Sequence, residues 1–396
     1  MLRRLCITLS VAILCQLHTS LIAEARQPDK FPANPLEVTT PDPLLPTQQL
    51  TLPEMQRLQR DLDELHQEGR AKLQAGDQEG AFAIWNREAR LRRYFGDLAE
   101  LEALSRFGAI AWSRNDGEQV RYITQRLQTI EKQAQKQETV DLELMRSLAQ
   151  AYQQVRSPRM ALQVYQQILN VVQEKQDAAG ILQTLKTMGE LHLSWFDYPQ
   201  AAATYEKLLN LTATQSDRTS ELTYLQQLAY IYQQDKQLKS AVDVLTRLVE
   251  IYQQENQLSQ IPQLKLTIGS NYELLAQENP SLLREAFNHY QQAYTIAMRS
   301  RQYTRAAEAL QKSIPLYRAQ GQIEAALQTS QILIETQEKA VNYYGMMQAY
   351  DQMGQLYLER REYPQALTAF QRGLELAQQL QHEETYFTQQ IEKASQ

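Results

Sequence analysis

Residues 198–209 read YPQAAATYEKLL, and residues 363–374 read YPQALTAFQRGL. Each opens Tyr-Pro-Gln-Ala, and each places an aromatic, Tyr205 or Phe370, four residues after an alanine, Ala201 or Ala366. Proline suits the first turn of a helix, where its missing N–H would be unpaired anyway. Asp197 and Glu362, just ahead of the two tyrosines, put negative charge at that helix start and complement the helix dipole. Residues four apart share a helix face. The alanine therefore admits a second helix, and the aromatic fills the space beside it. Twelve residues upstream of each alanine stands a glycine, Gly189 or Gly354, followed three residues on by His192 or Tyr357. This spacing predicts two antiparallel helices, each with a small residue and an aromatic turned to the other.

The same anchors recur along the chain. The small position of the second helix falls at Ala81, Val120, Ala161, Ala201, Ala241, Ala286, Ala326 and Ala366, in steps of 39, 41, 40, 40, 45, 40 and 40. That of the first helix falls at Gly69, Gly108, Ala149, Gly189, Ala229, Gly269, Ile314 and Gly354. The pattern weakens at Val120 and Ile314, and Thr124, Leu245 and Ser330 replace the second-helix aromatic. The long step comes from an insertion at Asn279-Pro280-Ser281, expected to protrude between the helices of the sixth pair. This pattern resembles the tetratricopeptide repeat, whose usual period is about 34 residues. Six further residues would lengthen each pair by roughly a turn and a half in total. The resemblance covers residues 54–381. It implies an all-α fold, a right-handed superhelical solenoid of about eight helix pairs with a period near 40. Residues 382–396 would form a capping helix or tail.

Composition agrees with helix. Glutamine makes up roughly one residue in seven, glycine and proline number only 13 each, and β-branched residues are thin. A net charge of −6 argues against a nucleic-acid binder and against simple docking on an anionic membrane. Residues 1–25 have the form of a signal peptide. Arg3 and Arg4 precede an apolar run from Leu5 to Leu17, too short to span a bilayer, and Ala23-Glu24-Ala25 offers a cleavage point. An uncleaved anchor is the alternative. Both cysteines, Cys6 and Cys15, fall inside this leader, so the mature chain would hold no disulfide, which suits a bacterial periplasm. No stable membrane insertion is expected after cleavage. Residues 26–53 carry seven of the 13 prolines and are expected to be an extended or disordered linker, or else a docking segment in polyproline conformation.

No enzyme is expected. The chain has no GxxxxGK[ST] loop, no GxGxxG, no HExxH and no GxSxG elbow. Cysteine nucleophiles would leave with the leader. Asp63 and His66, three apart on one helix face, are the candidate ligands for a divalent cation such as Mn²⁺, with His382-Glu383-Glu384 a weaker second cluster. His192, at a core aromatic position, is expected to be packed rather than ligating.

The tetratricopeptide resemblance implies a partner groove lined by the first helix of each pair. Carried over position by position, the groove would hold Asp63, His66 and Arg70; Glu102, Ser105 and Trp112; Glu143, Arg146 and Gln150; Lys186 and Glu190; Gln226 and Tyr230; and Asp351 and Gln355. Trp112 and Tyr230 are its aromatic anchors. The lysine-and-asparagine clamp that tetratricopeptide co-chaperones use for a C-terminal carboxylate is missing: Arg146 with Gln150, and Lys186 with Glu190, stand at the matching positions. A cysteine-free, glutamine-rich, exported array also resembles the periplasmic processing-associated tetratricopeptide proteins of cyanobacteria. That resemblance implies a scaffold in photosystem II assembly, with a reaction-centre precursor as partner. The alternative it implies is a factor that binds and delivers manganese.

Overall fold

The computed structural model describes residues 33–38, 41–45, 50–137, 139–215 and 217–395; the leader lies outside them. Among the described residues regular structure is helical, with no strand. The chain divides into two compact units, Met1–Val171 and Val172–Gln396. The first contains α1 (Leu52–Gln74), α2 (Gln78–Arg92), α3 (Asp97–Ser113), α4 (Gly117–Ala134) and α5 (Leu142–Gln154). Helix α6 (Pro158–Glu174) runs through the boundary. The second contains α7 (Ala178–Ser194), α8 (Tyr198–Gln215), α9 (Arg218–Gln234), α10 (Leu238–Gln254), α11 (Ile261–Leu275), α12 (Leu283–Arg299), α13 (Tyr303–Ala319), α14 (Ile323–Lys339), α15 (Tyr343–Glu359), α16 (Tyr363–Leu380) and α17 (Glu384–Ala394).

Several helices begin on an aspartate. Asp77, Asp116, Asp141, Asp177 and Asp217 accept backbone N–H bonds at the starts of α2, α4, α5, α7 and α9, satisfying donors that no helical carbonyl reaches. The ends are equally regular. Asn115, Arg156, Gln176, Phe196, Lys236, Asn256, Arg301, Val341, Arg361 and Gln381 all adopt a left-handed φ between 52° and 60° in the short turns between helices. One left-handed residue closes a helix and reverses the chain at once. From α7 to α17, each helix of the second unit consequently packs on its neighbours in sequence. In the first unit α1 packs on α2, α2 on α3, and α3 on both α4 and α5.

Inside each pair the predicted seam is present. Ala81, Ala161, Ala201, Ala241, Ala286, Ala326 and Ala366 are all fully buried, while Val120 is only half-buried. A Cβ built on Gly69 would lie 2.3 Å from the Trp85 ring; on Gly189, 2.9 Å from Tyr205; on Gly269, 2.5 Å from Tyr290; and on Gly354, 2.5 Å from Phe370. Each contact joins a first-helix glycine to the aromatic four residues beyond the second-helix alanine. Leu245 and Ser330, which replace that aromatic, are buried too; the Ser330 hydroxyl is satisfied by the Ala326 carbonyl at 2.9 Å. The fold is thus all-α and tetratricopeptide-like. The insertion after Asn279 forms a short 3-10 turn, Pro280–Leu282, between α11 and α12. Gly373 on α16 receives Phe387 of α17, so the seam extends one helix past the last full pair.

The proline-rich stretch departs from the extended or disordered reading. Pro35–Glu37 is a 3-10 turn capped by Asn34, and Leu36 is fully buried. Asn34 Nδ2 donates to the Tyr122 carbonyl at 2.9 Å, and the Arg90 and Arg93 guanidiniums hold the Pro35 and Leu36 carbonyls. Further along, Arg87 grips Asp42 through two bonds of 2.8 Å, which holds the Asp42 carboxyl below the usual carboxylate range. Arg87 and Arg90 on α2, with Arg93 just past its end, dock the described part of what composition marks as a spacer.

Two substitutions test this account. Gly354→Val should destabilise the chain by about 1–3 kcal/mol, because the added methyls collide with Phe370; a urea midpoint unchanged from wild type would show that the seam yields. Phe196→Asn should stabilise it by about 1 kcal/mol, since Phe196 is 74% exposed yet held at φ 58°, where asparagine is far less strained.

Candidate functional site

Once the seam has taken the glycines, alanines and aromatics, the remaining first-helix positions face outward. In the first unit Arg70 on α1, Glu102 and Trp112 on α3, and Glu143, Arg146 and Gln150 on α5 are all exposed. Trp112 keeps 48% of its surface in solvent. None of these six has a hydrogen-bond or ion-pair partner for its side chain among the described residues. Buried neighbours such as Leu104, Phe107, Leu144 and Leu148 lie on the opposite face of the same helices.

Between α1 and α3 this face sinks into a cavity of about 520 Å³, lined by His66, Arg70, Leu73, Gln74, Trp85, Arg106, Ala109 and Ile110. Beneath it lies the fully buried Trp85 ring, which stacks on Phe107 at 5.3 Å and donates its indole N–H to the His66 carbonyl at 3.4 Å. Under the rim lies Glu88, fully buried, with Arg92 at 2.8 Å, His66 at 3.3 Å and Arg106 at 3.7 Å. A second buried carboxylate, Glu100, takes two bonds from Arg126 at 2.7 and 2.8 Å and one from Arg93 at 2.7 Å. Carboxylates removed from water in this way need such donors, and the pairs hold α2, α3 and α4 in register.

The weighed metal pair does not converge. Asp63 is 65% exposed and faces Arg92 at 3.6 Å, whereas His66 turns to Glu88. Among the described residues no group of three or more His, Cys, Asp or Glu side chains is placed to hold a metal ion. His192 is 8% exposed in the core, and burial pushes its imidazole pKa down.

In the second unit Lys186, Glu190 and Tyr230 are exposed, Tyr230 by 48%, and Gln226 donates to the Tyr252 hydroxyl at 3.1 Å. Asp351 and Gln355 depart from the groove expectation. Both are half-buried under α17: the Tyr386 hydroxyl donates to Asp351 at 2.9 Å, and Gln355 Nε2 donates to Gln390 Oε1 at 3.2 Å. Burial pushes the Asp351 carboxyl up against the pull of that hydroxyl. These two residues also edge a cleft of about 410 Å³, walled by Gln311, Pro315 and Arg318 of α13 and by Gln348 and Gln352 of α15.

Some features lie beyond the sequence-level reading. Trp195 and Phe196 stand exposed at the turn between α7 and α8, directly before Asp197 and Tyr198. Arg106 is absent from the carried-over positions, yet it borders the cavity. His289 stacks on Tyr272 at 5.5 Å with a buried Nδ1 that has no hydrogen-bond partner.

No family model matches the chain, and no curated protein matches it. It is similar to several solved repeat structures. One is PH0952 from Pyrococcus horikoshii, a signal transduction ATPase with a tetratricopeptide repeat sensor: 15% identity, 85% of this chain and 50% of that one, TM-score 0.41. Another is the apo quorum sensor NprR from B. thuringiensis, at 16% identity over 74% of this chain and 80% of that one, TM-score 0.36. A third is BtubC from P. vanneervenii, at 12% identity over 57% of this chain and 91% of that one, TM-score 0.38. At such values the likeness bears on neither partner nor activity, and the fold assignment rests on the seam itself.

Burial, reinforced by the Lys265 charge and opposed by Glu285, pushes the His289 pKa down from 6.5 to about 4. Between those values the unfolded chain binds a proton that the folded chain refuses, so this contribution to stability is lost as pH falls from about 6.5 toward 4. His289→Gln should flatten that part of a stability-versus-pH curve from urea unfolding. An identical slope would assign the dependence to other groups.

Proposed function

We propose that the chain is an exported, non-enzymatic scaffold that binds a segment of a partner protein along the first-helix faces of its repeats. One observation carries this reading. Arg70, Glu102, Trp112, Glu143, Arg146 and Gln150 are exposed, with no side-chain partner among the described residues, although other surface charges form ion pairs such as Arg218–Glu221 and Arg305–Glu308. Folding leaves their hydrogen-bonding and aromatic capacity free. A rigid helical face that displays spaced aromatic and charged anchors suits recognition of an extended or helical segment. Export is part of the proposal through residues 1–25, whose charge and apolar run have the form of a leader. The finer reading, also a proposal, places the partner among photosystem II reaction-centre precursors, on the strength of the composition and architecture shared with cyanobacterial processing-associated tetratricopeptide proteins.

A photo-cross-linking side chain at Trp112 or Arg146 of the full chain, expressed in its host, tests this. Both positions should trap a discrete partner. The same group at Lys207, exposed on the second helix α8, should not. Equal trapping from all three sites, or none, would remove the scaffold reading. A trapped partner unrelated to photosystem II would remove only the finer one.

A further inference from the structure

We propose that the cavity between α1 and α3 is a subsite for one apolar side chain carried beside a carboxylate in the partner segment. This rests on the reading that the first-helix face is where a segment docks. The floor sets half of the specificity. Leu73, Ala109 and Ile110 present carbon above the buried Trp85 ring, whose one polar atom is already committed to the His66 carbonyl. Such a floor excludes a hydrated polar group and rewards a branched or aromatic side chain.

The rim sets the other half. Arg70 and Arg106 border the cavity, and no acidic residue lines it. Arg70 is exposed with no ion-pair partner among the described residues. Arg106, 43% exposed, shares Glu88 with Arg92, which lies nearer to that carboxylate at 2.8 Å against 3.7 Å. Each guanidinium carries five N–H donors in a planar fork, so both keep donors for an incoming carboxylate. Among acidic residues, Asp63 is drawn to Arg92, Glu88 is buried and takes its closer bond from Arg92, and Glu102 lies outside the lining. A lysine or arginine beside the apolar side chain would instead be set against two cations.

The test uses the full chain labelled with 5-fluorotryptophan, its Trp85 resonance assigned through Trp112→Phe and Trp195→Phe. The probes are acetyl-Gly-Phe-Glu-Gly-amide and acetyl-Gly-Phe-Lys-Gly-amide. The glutamate peptide should move the Trp85 resonance saturably and bind about tenfold more tightly than the lysine peptide. Arg70→Gln with Arg106→Gln should abolish that preference while the apolar contact persists, and Ile110→Asp should abolish the shift. Equal affinity for both peptides, or a Trp85 resonance that never moves, would overturn the subsite. Decanoate that saturates the shift while neither peptide does would assign the cavity to a free fatty acid and overturn it as well. Partner trapping from Trp112 with a silent Trp85 resonance leaves the scaffold standing and removes this proposal. A moving resonance without trapping supports the subsite and not the scaffold.

Discussion

The packing of an aromatic ring into the space left by a missing side chain is the contact on which the rest of this structure depends. Trp85 on Gly69, Tyr205 on Gly189, Tyr290 on Gly269 and Phe370 on Gly354 are four copies of it. An aromatic ring buries on the order of 150–250 Å². At about 25 cal/mol per Å² that is roughly 4–6 kcal/mol for each ring, before its ordering cost is set against it. The contact also fixes the distance and register of two helices, because the ring fits only where the facing residue carries no Cβ. With helix pairs set by this lock and by left-handed turns, the outward faces follow without further instruction.

The first unit adds a layer of charge to this apolar frame. Glu88 and Glu100 are both fully buried, and each is held by arginines from more than one direction. Arg93 and Arg126 serve two purposes: they neutralise Glu100, and they reach the arm at Leu36 and Glu37. The arm, the second helices and the buried carboxylates therefore form one connected network. On the other side of the same helices, the ring of the Gly69–Trp85 lock lies buried beneath the cavity, so the geometry of a candidate binding surface is inherited directly from the packing seam.

Much of this was legible in the residues. Small and aromatic positions about 40 apart mark the seam because close packing tolerates few alternatives there. Arg70, Glu102, Trp112, Glu143, Arg146 and Gln150, named through the tetratricopeptide resemblance, are exposed on α1, α3 and α5. The turns were less legible. Glycine takes their left-handed position at Gly76 and Gly321, but Arg156, Gln176, Lys236 and Phe196 fill it elsewhere, so composition punctuates few of them. The docked arm was hidden because its anchors are arginines some fifty residues away, at Arg87, Arg90 and Arg93. Asp351 and Gln355 look like free groove residues until Tyr386 and Gln390 of α17 reach them. Each miss is a long-range contact that no local pattern encodes.

Gly108 breaks the rule that each pair is locked from within. A Cβ there would lie 2.6 Å from Val155 Cγ1, which belongs to the turn after α5, and only 3.8 Å from Ile123 on its own partner α4. Helix α3 accordingly lies more against α5 than against α4. The second pair has handed its lock to the third, and its own second helix carries Thr124 and the half-buried Val120 where the other pairs carry a buried alanine and, in five of them, an aromatic. Repeat arrays are commonly treated as interchangeable bricks. Here a piece ending with α4 would strip Val155 from Gly108 and remove α5, the helix α3 lies most against. The smallest portable block at this end of the protein is three pairs long, whatever the period of its sequence.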